Sequence, residues 1–210
     1  TGGSGAGKYF TNSSNGSTAH IRNSNSGHSA GFSNDADDQI AYMGWWYPKV
    51  DLDSTGVLWI LNDGDWGPNG QVGIRLQSTN FRALRGSSNN IQEPLPSLSY
   101  ADDWLFVCVY QSSNGGMYMG VGQKGDTNLT DVYDNGSFSY STGSSTPQAF
   151  AVGARPDNLA NEYNADGTRL GFQAMWGIGN DAFLDSTDRS RTRAKSLFES
   201  VFDATKGRYA

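Results

Sequence analysis

Apolar and polar residues alternate along this chain in short runs, each broken by clusters of Gly, Asn, Asp and Ser. Strict alternation puts successive side chains on opposite faces of an extended backbone, so each run predicts a β-strand. The clearest runs are Ile40–Tyr47, Val57–Leu61, Gln71–Leu76, Trp104–Tyr110, Met117–Val121, Ala149–Ala154 and Leu170–Ile178. Many short strands with frequent turn residues, and no alternation of strand and helix patterns, predict a sandwich or barrel rather than an α/β fold. Trp59, Trp104 and Trp176 fall inside apolar runs and are expected in the core. Trp45 and Trp46 are neighbours on one strand and therefore point opposite ways. One is expected in the core, and the other exposed or covered by a partner.

Near the C-terminus the period changes. Ala194, Leu197, Phe198, Val201 and Phe202 repeat at helical spacing and form one apolar stripe. Ser186 or Thr187 can cap the start of this helix, Asp188 suits its positive N-terminal end, and Gly207 can terminate it. The opposite face carries Arg189, Arg191, Arg193, Lys195 and Glu199. It is either a solvated face or, through Arg189, Arg191, Arg193 and Lys195, a basic contact patch for an acidic partner. Residues 1–7 read as a flexible Gly/Ser arm and residues 8–210 as a single domain, with no internal repeat.

Composition narrows the partners. The 210 residues include 27 glycines, and only 17% are charged while 12% are aromatic, which suits a loop-rich sheet protein and not a disordered one. A net charge of −6 disfavours nonspecific nucleic-acid binding and docking on an anionic membrane. No apolar run approaches the ~18 residues of a membrane span. The stretch Thr1–Gly7 has neither the basic start nor the apolar stretch of a signal peptide, which fits either a removed leader or a protein released by lysis, as phage parts are. Cys108 is the single cysteine, so no intramolecular disulfide forms, and its apolar run predicts a buried thiol.

The order of these runs resembles the concanavalin A-like, laminin-G-type jelly roll found in bacterial surface proteins and phages. Lys8–Thr11 and Ala19–Arg22 resemble its opening pair of strands, and Ile40–Pro48 its aromatic strand ending in proline. Val57–Asn62 resembles the strand that follows, and Gly70–Gln77 with Phe81–Arg85 the next hairpin. Asp103–Tyr110 resembles the Trp-initiated central strand, Met117–Gly122 its partner, Ala149–Gly153 the strand before the last long loop, and Gly171–Trp176 the closing strand. The resemblance implies an all-β fold: a two-sheet antiparallel jelly-roll sandwich with one C-terminal α-helix. It is far more specific for fold than for function, since one scaffold hosts many activities. The closing strand departs from the pattern, with Gln173 and Ala174 where many relatives carry acidic residues, so no metal or contact role is carried over to that place.

Candidate chemistry favours binding. Sugars stack on aromatic rings while amide and carboxylate side chains take their hydroxyls. Trp66 sits among Asp63, Asp65, Asn69 and several glycines, where no core pattern would bury it, and this loop is the candidate carbohydrate site. Calcium takes clustered oxygen ligands on loops. The cluster Asp157, Asn158, Glu162 and Asp166, with Asn164, is the candidate calcium site; Asn34, Asp35, Asp37 and Asp38, and the Asn62–Asn69 loop, are others. Polar turn chemistry is the favoured account of each, so calcium is the one cofactor to consider and none is assigned.

Catalysis finds little support. Glycoside hydrolysis needs two facing carboxylates. No strand shows an alternating acidic run, and the glutamates Glu93, Glu162 and Glu199 fall in a loop-like stretch, a loop and the helix. Asp51 and Asp53 alternate but read as a turn. His20 and His28 are the only histidines, and no Gly-x-Ser-x-Gly elbow occurs. Gly2–Lys8 nearly spells a P-loop, but Tyr9 follows the lysine and no strand precedes it. The Asn-x-Ser/Thr triplets at Asn12, Asn15, Asn128 and Asn135 are chance matches in a Ser/Asn-rich chain.

The expectation is therefore a noncatalytic lectin-like module of a virion or extracellular surface. It would be a phage decoration, tail or fibre-associated protein acting in assembly or adhesion. Its partners would be other virion or surface proteins, itself as a homo-oligomer, or glycans, with no nucleic acid and no membrane insertion. A dedicated carbohydrate-binding lectin is the alternative, and a polysaccharide hydrolase or lyase the second.

Overall fold

The computed structural model describes residues 10–11, 21–22, 39–47, 56–62, 71–77, 80–85, 89–94, 103–111, 117–134, 149–152, 169–178 and 191–209. They form twelve strands and one helix: β1 (Phe10–Thr11), β2 (Ile21–Arg22), β3 (Gln39–Tyr47), β4 (Gly56–Asn62), β5 (Gln71–Gln77), β6 (Asn80–Arg85), β7 (Asn89–Pro94), β8 (Leu105–Gln111), β9 (Met117–Gln123), β10 (Thr130–Asp134), β11 (Ala149–Val152), β12 (Arg169–Ile178) and α1 (Arg191–Lys206). A short 3-10 turn, Gly207–Tyr209, follows the helix.

All described strand pairs are antiparallel. One sheet runs β1-β12-β3-β8-β9-β10 and the other β2-β11-β4-β5-β6-β7. The two short opening strands do not pair with each other: β1 joins β12 in the first sheet and β2 joins β11 in the second. The expected hairpins form, with β5 on β6 and β8 on β9. Two strands went unrecognised in the sequence, β7 and β10, and each is the edge of its sheet. Their sequences, NNIQEP and TDVYD, are rich in polar residues, a composition common on edge strands. Glu93, expected in a loop-like stretch, is therefore a strand residue.

The first sheet is buried on both faces. Helix α1 packs on β8 and β9, and β6 and β7 of the second sheet approach β9 on its other side. Ala41, Met43, Trp45, Trp104, Phe106, Cys108, Tyr110 and Tyr118 join Phe198 and Phe202 of the helix and Tyr209 of the turn in one cluster. Residues of opposite parity, Tyr42, Trp46, Leu105, Val107, Val109, Met117 and Met119, are at most 1% exposed on the face turned away from the helix. This is why β8 reads as a continuous apolar run rather than an alternating one. It also corrects the expectation for the tryptophan pair, since Trp45 and Trp46 are both core residues. A sheet covered by a helix on one side and further packing on the other has no solvent face to give either ring.

Helix α1 buries its stripe as its spacing requires: Phe198 and Phe202 are fully buried, with Leu197 and Val201 half-buried. Trp45 is the centre of this contact, its ring stacked on Phe202 at 5.6 Å and on Tyr209 at 4.9 Å between centroids. Its indole N–H donates to Thr205 Oγ1 at 2.8 Å, and that hydroxyl donates to the Val201 carbonyl at 2.7 Å. Thr205, the one buried polar side chain among the described residues of the helix, is thus satisfied twice over. The helix ends at Lys206, immediately before Gly207, as the sequence predicts; its proposed start, Ser186 to Asp188, lies outside the described residues.

In the second sheet, register assigns residues to two faces, each of mixed character, with Arg85 on the face of Val72 and Leu84 on the face of Arg82. Val72, Ile74 and Leu76 of β5 share a face with Phe81 and Ala83 of β6, and Ala83 is fully buried. Gln71, Arg75 and Gln77 occupy the other face, with Asn80 and Arg82 of β6 and Gln92 of β7 in register with them. Arg82 is half-buried there.

Candidate functional site

The closing strand does not run regularly. Leu170 pairs with Trp46, but the next partner of β3, Gly44, faces Gln173, so β12 carries one extra residue between them. Such a bulge bends a strand and re-aims its side chains. Here it puts Phe172 outward at 36% exposure, the one large apolar side chain exposed among the described residues. Gly171 makes room for the fold-back of the C-terminus: a Cβ at this position would stand 2.6 Å from Tyr209 Cε1 and 2.8 Å from its hydroxyl oxygen. The Tyr209 hydroxyl accepts the Phe172 backbone N–H at 2.6 Å, satisfying a donor that the bulge removes from the ladder. Burial raises the Tyr209 pKa, partly offset by that bond and by the Arg208 charge.

Gln173 lies beside the bulge. Its amide oxygen accepts from the Tyr42 hydroxyl, and its Nε2 donates to the Trp45 carbonyl at 3.0 Å. Gly44 leaves the space this amide fills, because an added Cβ would meet Gln173 Cδ at 2.7 Å. Burial drives the Tyr42 hydroxyl well above its usual pKa, with the Trp46 side chain pulling slightly the other way. An amide neither gives nor takes a proton near neutral pH, and a phenol this buried stays protonated. The place where relatives of the resembled fold carry acids is thus a structural hydrogen-bond bridge between two strands.

Every carboxylate whose side chain is described lies within ion-pair or hydrogen-bond reach of a cation or of backbone, although the buried Glu199 Oε1 makes no hydrogen bond. Asp131, with a side chain only 5% exposed, accepts from Lys195 at 2.9 Å, and Glu199 lies 3.7 Å from the same ammonium. Asp203 meets Lys206 at 2.7 Å, and Asp103 meets Lys124 at 3.5 Å. Asp126 accepts the Gln123 N–H at 2.8 Å in the β9–β10 turn. These groups tie the helix and the turns to the first sheet. Cys108 is a buried free thiol whose hydrogen faces the Gly120 carbonyl at 3.5 Å, and burial pushes its pKa well up.

At the start of β12, Arg169 lies 4.4 Å over the Tyr47 ring, and Tyr47 meets Trp104 edge-on at 5.4 Å. This half-buried aromatic and cationic rim went unnoticed in the sequence, because Arg169 and Tyr47 become neighbours only through the β3–β12 pairing. Phe172, Gln173 and Tyr209 were missed as a unit for the same reason. The one local signal was a glycine with an amide two residues on, Gly171 and Gln173, inside a largely apolar strand.

The residues singled out in the sequence are distributed as follows. Asp63, Asp65, Trp66 and Asn69 lie in the connection between β4 and β5, outside the described residues, as do Asp157, Asn158, Glu162 and Asp166. Arg189 is outside them too, and Arg191 and Arg193 stand in the first turn of α1. Lys195 is turned to its own chain, onto Asp131 and Glu199. Among the described residues no three His, Cys, Asp or Glu side chains converge as a metal site would require, and no helix is long and apolar enough to cross a membrane.

No family model matches this chain, and no curated protein resembles it in sequence. Solved structures do resemble it. A heptameric SAP-like pentraxin from Limulus polyphemus superposes with a TM-score of 0.52 at 13% identity, over 83% of this chain and 78% of the pentraxin. The binding domain of botulinum neurotoxin serotype G reaches 0.54 at 12% identity, over 92% of this chain and 45% of that one. A mutant GH54 α-L-arabinofuranosidase, soaked with 4-nitrophenyl α-L-arabinofuranoside, reaches 0.55 at 12% identity, over 95% and 41%. This chain thus spans less than half the length of the toxin and arabinofuranosidase chains. At these identities the likeness shows a shared lectin-like β-sandwich fold.

Proposed function

We propose that this chain is a noncatalytic glycan-binding module with a concanavalin A-like jelly-roll fold, acting at a virion or extracellular surface. The observation that carries it is the bridge at Gln173. The amide, bonded to Tyr42 and to the Trp45 carbonyl, gives the closing strand a neutral side chain committed to structural hydrogen bonds and unable to transfer a proton near neutral pH. The described carboxylates are engaged with lysines or backbone and belong to the packing of the helix and turns. The residues proposed to bind the glycan are Trp66, as a stacking ring, with Asp63, Asp65 and Asn69, which follow β4 and precede β5 in the sequence. Two of the similar structures are a binding domain and a pentraxin, which supports the same reading.

The third similar structure, an arabinofuranosidase, favours a polysaccharide hydrolase as the second reading. Glycan-array binding that is lost in Trp66→Ala, without release of reducing ends from any polysaccharide, is the expected result. Turnover abolished by replacing one acidic residue would overturn it in favour of the hydrolase. Co-purification with a particle or cell surface tests the location.

A further inference from the structure

Three groups lie together where the C-terminal turn closes on the β12 bulge, and the fold leaves each with something unspent. The Tyr209 hydroxyl accepts the Phe172 N–H at 2.6 Å in a bond that is only partly buried. Its own hydrogen has no acceptor among the described residues, although a phenol donates as well as accepts. Arg208, the preceding residue, is exposed and forms no ion pair or hydrogen bond with a described residue. Its charge reaches the Tyr209 hydroxyl, whose pKa it lowers against the larger effect of burial. The acid nearest to it in sequence, Asp203, is engaged with Lys206 instead. A Cβ at Gly207 would meet no described atom within 4 Å, so the surface beside Arg208 is open. Phe172 is 36% exposed, and its ring makes no aromatic contact with a described residue. One exposed apolar ring is ordinary on a protein surface. This one belongs to a residue bonded to Tyr209, which brings two donors without acceptors to the same corner.

We infer that this corner is a subsite for a uronic acid residue, whose carboxylate accepts from the Tyr209 hydroxyl and the Arg208 guanidinium while the apolar face of its ring lies on Phe172. The inference rests on the glycan-binding reading, names its substrate class and adds a second place of contact. A guanidinium fork matches a planar carboxylate with paired hydrogen bonds, and ionised partners make such bonds about twice as strong as neutral ones. The bound carboxylate supplies the acceptor that the Tyr209 hydrogen lacks and the counter-charge that Arg208 lacks. Much of the corner is fixed in advance. Gly171 admits the Tyr209 ring, Trp104 and Trp45 hold that ring at 4.6 Å and 4.9 Å between centroids, and the hydroxyl holds the Phe172 backbone. Preorganisation of this kind lowers the entropy lost on binding.

Calorimetric titration of the full chain tests this, with oligosaccharides of galacturonate, glucuronate and mannuronate and with their methyl esters, which keep the sugar ring and lose the charge. At least one uronate should bind more tightly than its ester, and the difference should shrink as salt is added. Arg208→Gln should weaken uronate binding about tenfold and leave ester binding unchanged. Arg208→Lys should recover only part, since it restores charge without the fork. Phe172→Ala keeps the backbone bond to Tyr209 and should weaken uronate and ester alike, by about fivefold. Arg208→Gln alone decides the matter if Phe172→Ala loses its native circular dichroism. Equal binding of uronate and ester, uronate binding in Arg208→Gln as strong as wild type, or glycan-array signal without uronate binding overturns this inference and leaves the glycan-binding reading standing. No binding of any uronate or ester and no signal on a glycan array overturns both.

Discussion

The hydroxyl of Tyr209 accepts the backbone N–H of Phe172 at 2.6 Å, linking the last turn of the chain to a bulge 37 residues earlier. The ring that carries this hydroxyl is 3% exposed and lies between Trp45, at 4.9 Å, and Trp104, at 4.6 Å. The C-terminus is thus a clamp on β12, and the bulge exists in this form because the clamp supplies the acceptor its ladder lacks.

Removing the hydroxyl while keeping the ring isolates that bond. Tyr209→Phe should lower stability by about 1–2 kcal/mol, the cost of an unpaired, partly buried amide. Hydrogen exchange should show faster opening at Phe172 than elsewhere in β12. Gly171→Ala should cost about 1–3 kcal/mol by driving a methyl into the Tyr209 ring. Denaturant midpoints measure both, and an unchanged Phe172 amide in Tyr209→Phe would refute the clamp.

Thr205 joins the helix to the sheet through Trp45. Thr205→Val keeps the shape but leaves the indole N–H without its acceptor, and should cost about 1–3 kcal/mol. Thr205→Ser keeps the acceptor and should cost less. The urea midpoint should fall with an unchanged slope, because the packing interface itself survives.

Gln173→Glu asks whether the bridge needs an amide. One carboxylate oxygen can still accept from Tyr42, but the other faces the Trp45 carbonyl in place of a donor. The variant should be less stable than wild type by about 1–3 kcal/mol at neutral pH. Acidification should narrow the gap, because a protonated carboxyl can donate to that carbonyl. Urea titrations of both proteins across the acid range check this, and a gap independent of pH would rule it out.

Alkaline pH should unfold the protein. Burial raises the folded-state pKa of Cys108 above the ordinary 9.0 and that of Tyr42 above 10.0. Below those ordinary values both groups are protonated folded and unfolded, so their neutral forms carry no penalty. Above them the unfolded chain loses protons that the folded chain keeps, and stability falls by up to about 1.4 kcal/mol per pH unit for each group. Cys108→Ala should cost stability at neutral pH through its cavity but remove the part of the fall that starts near pH 9. In native buffer the thiol should resist alkylation, and denaturant should make it react.

Much of the local structure is legible in the order of residues. Alternating or continuous apolar runs mark β3, β4, β5, β8, β9 and β12, and the Phe198–Phe202 stripe marks the helix, because burial on one face or on both imposes its pattern on the chain. Strands β7 and β10 escaped because the polar residues of NNIQEP and TDVYD mimic a loop. The rim of Arg169 and Tyr47 and the Gln173 bridge are illegible one segment at a time. Each is made by a pairing between strands, and pairing partners are not written in either strand alone.

By itself, then, the sequence determined the all-β character, most of the strands, two hairpins, the C-terminal helix and the burial of the lone thiol. These follow from period and composition, which act over a few residues. Only the tertiary structure decided that Trp45 and Trp46 are both buried, that β12 bulges after Leu170, and that Tyr209 holds the bulge in place. Those outcomes depend on how many layers cover a sheet and which register the strands choose, and both are set by contacts between segments far apart in the chain.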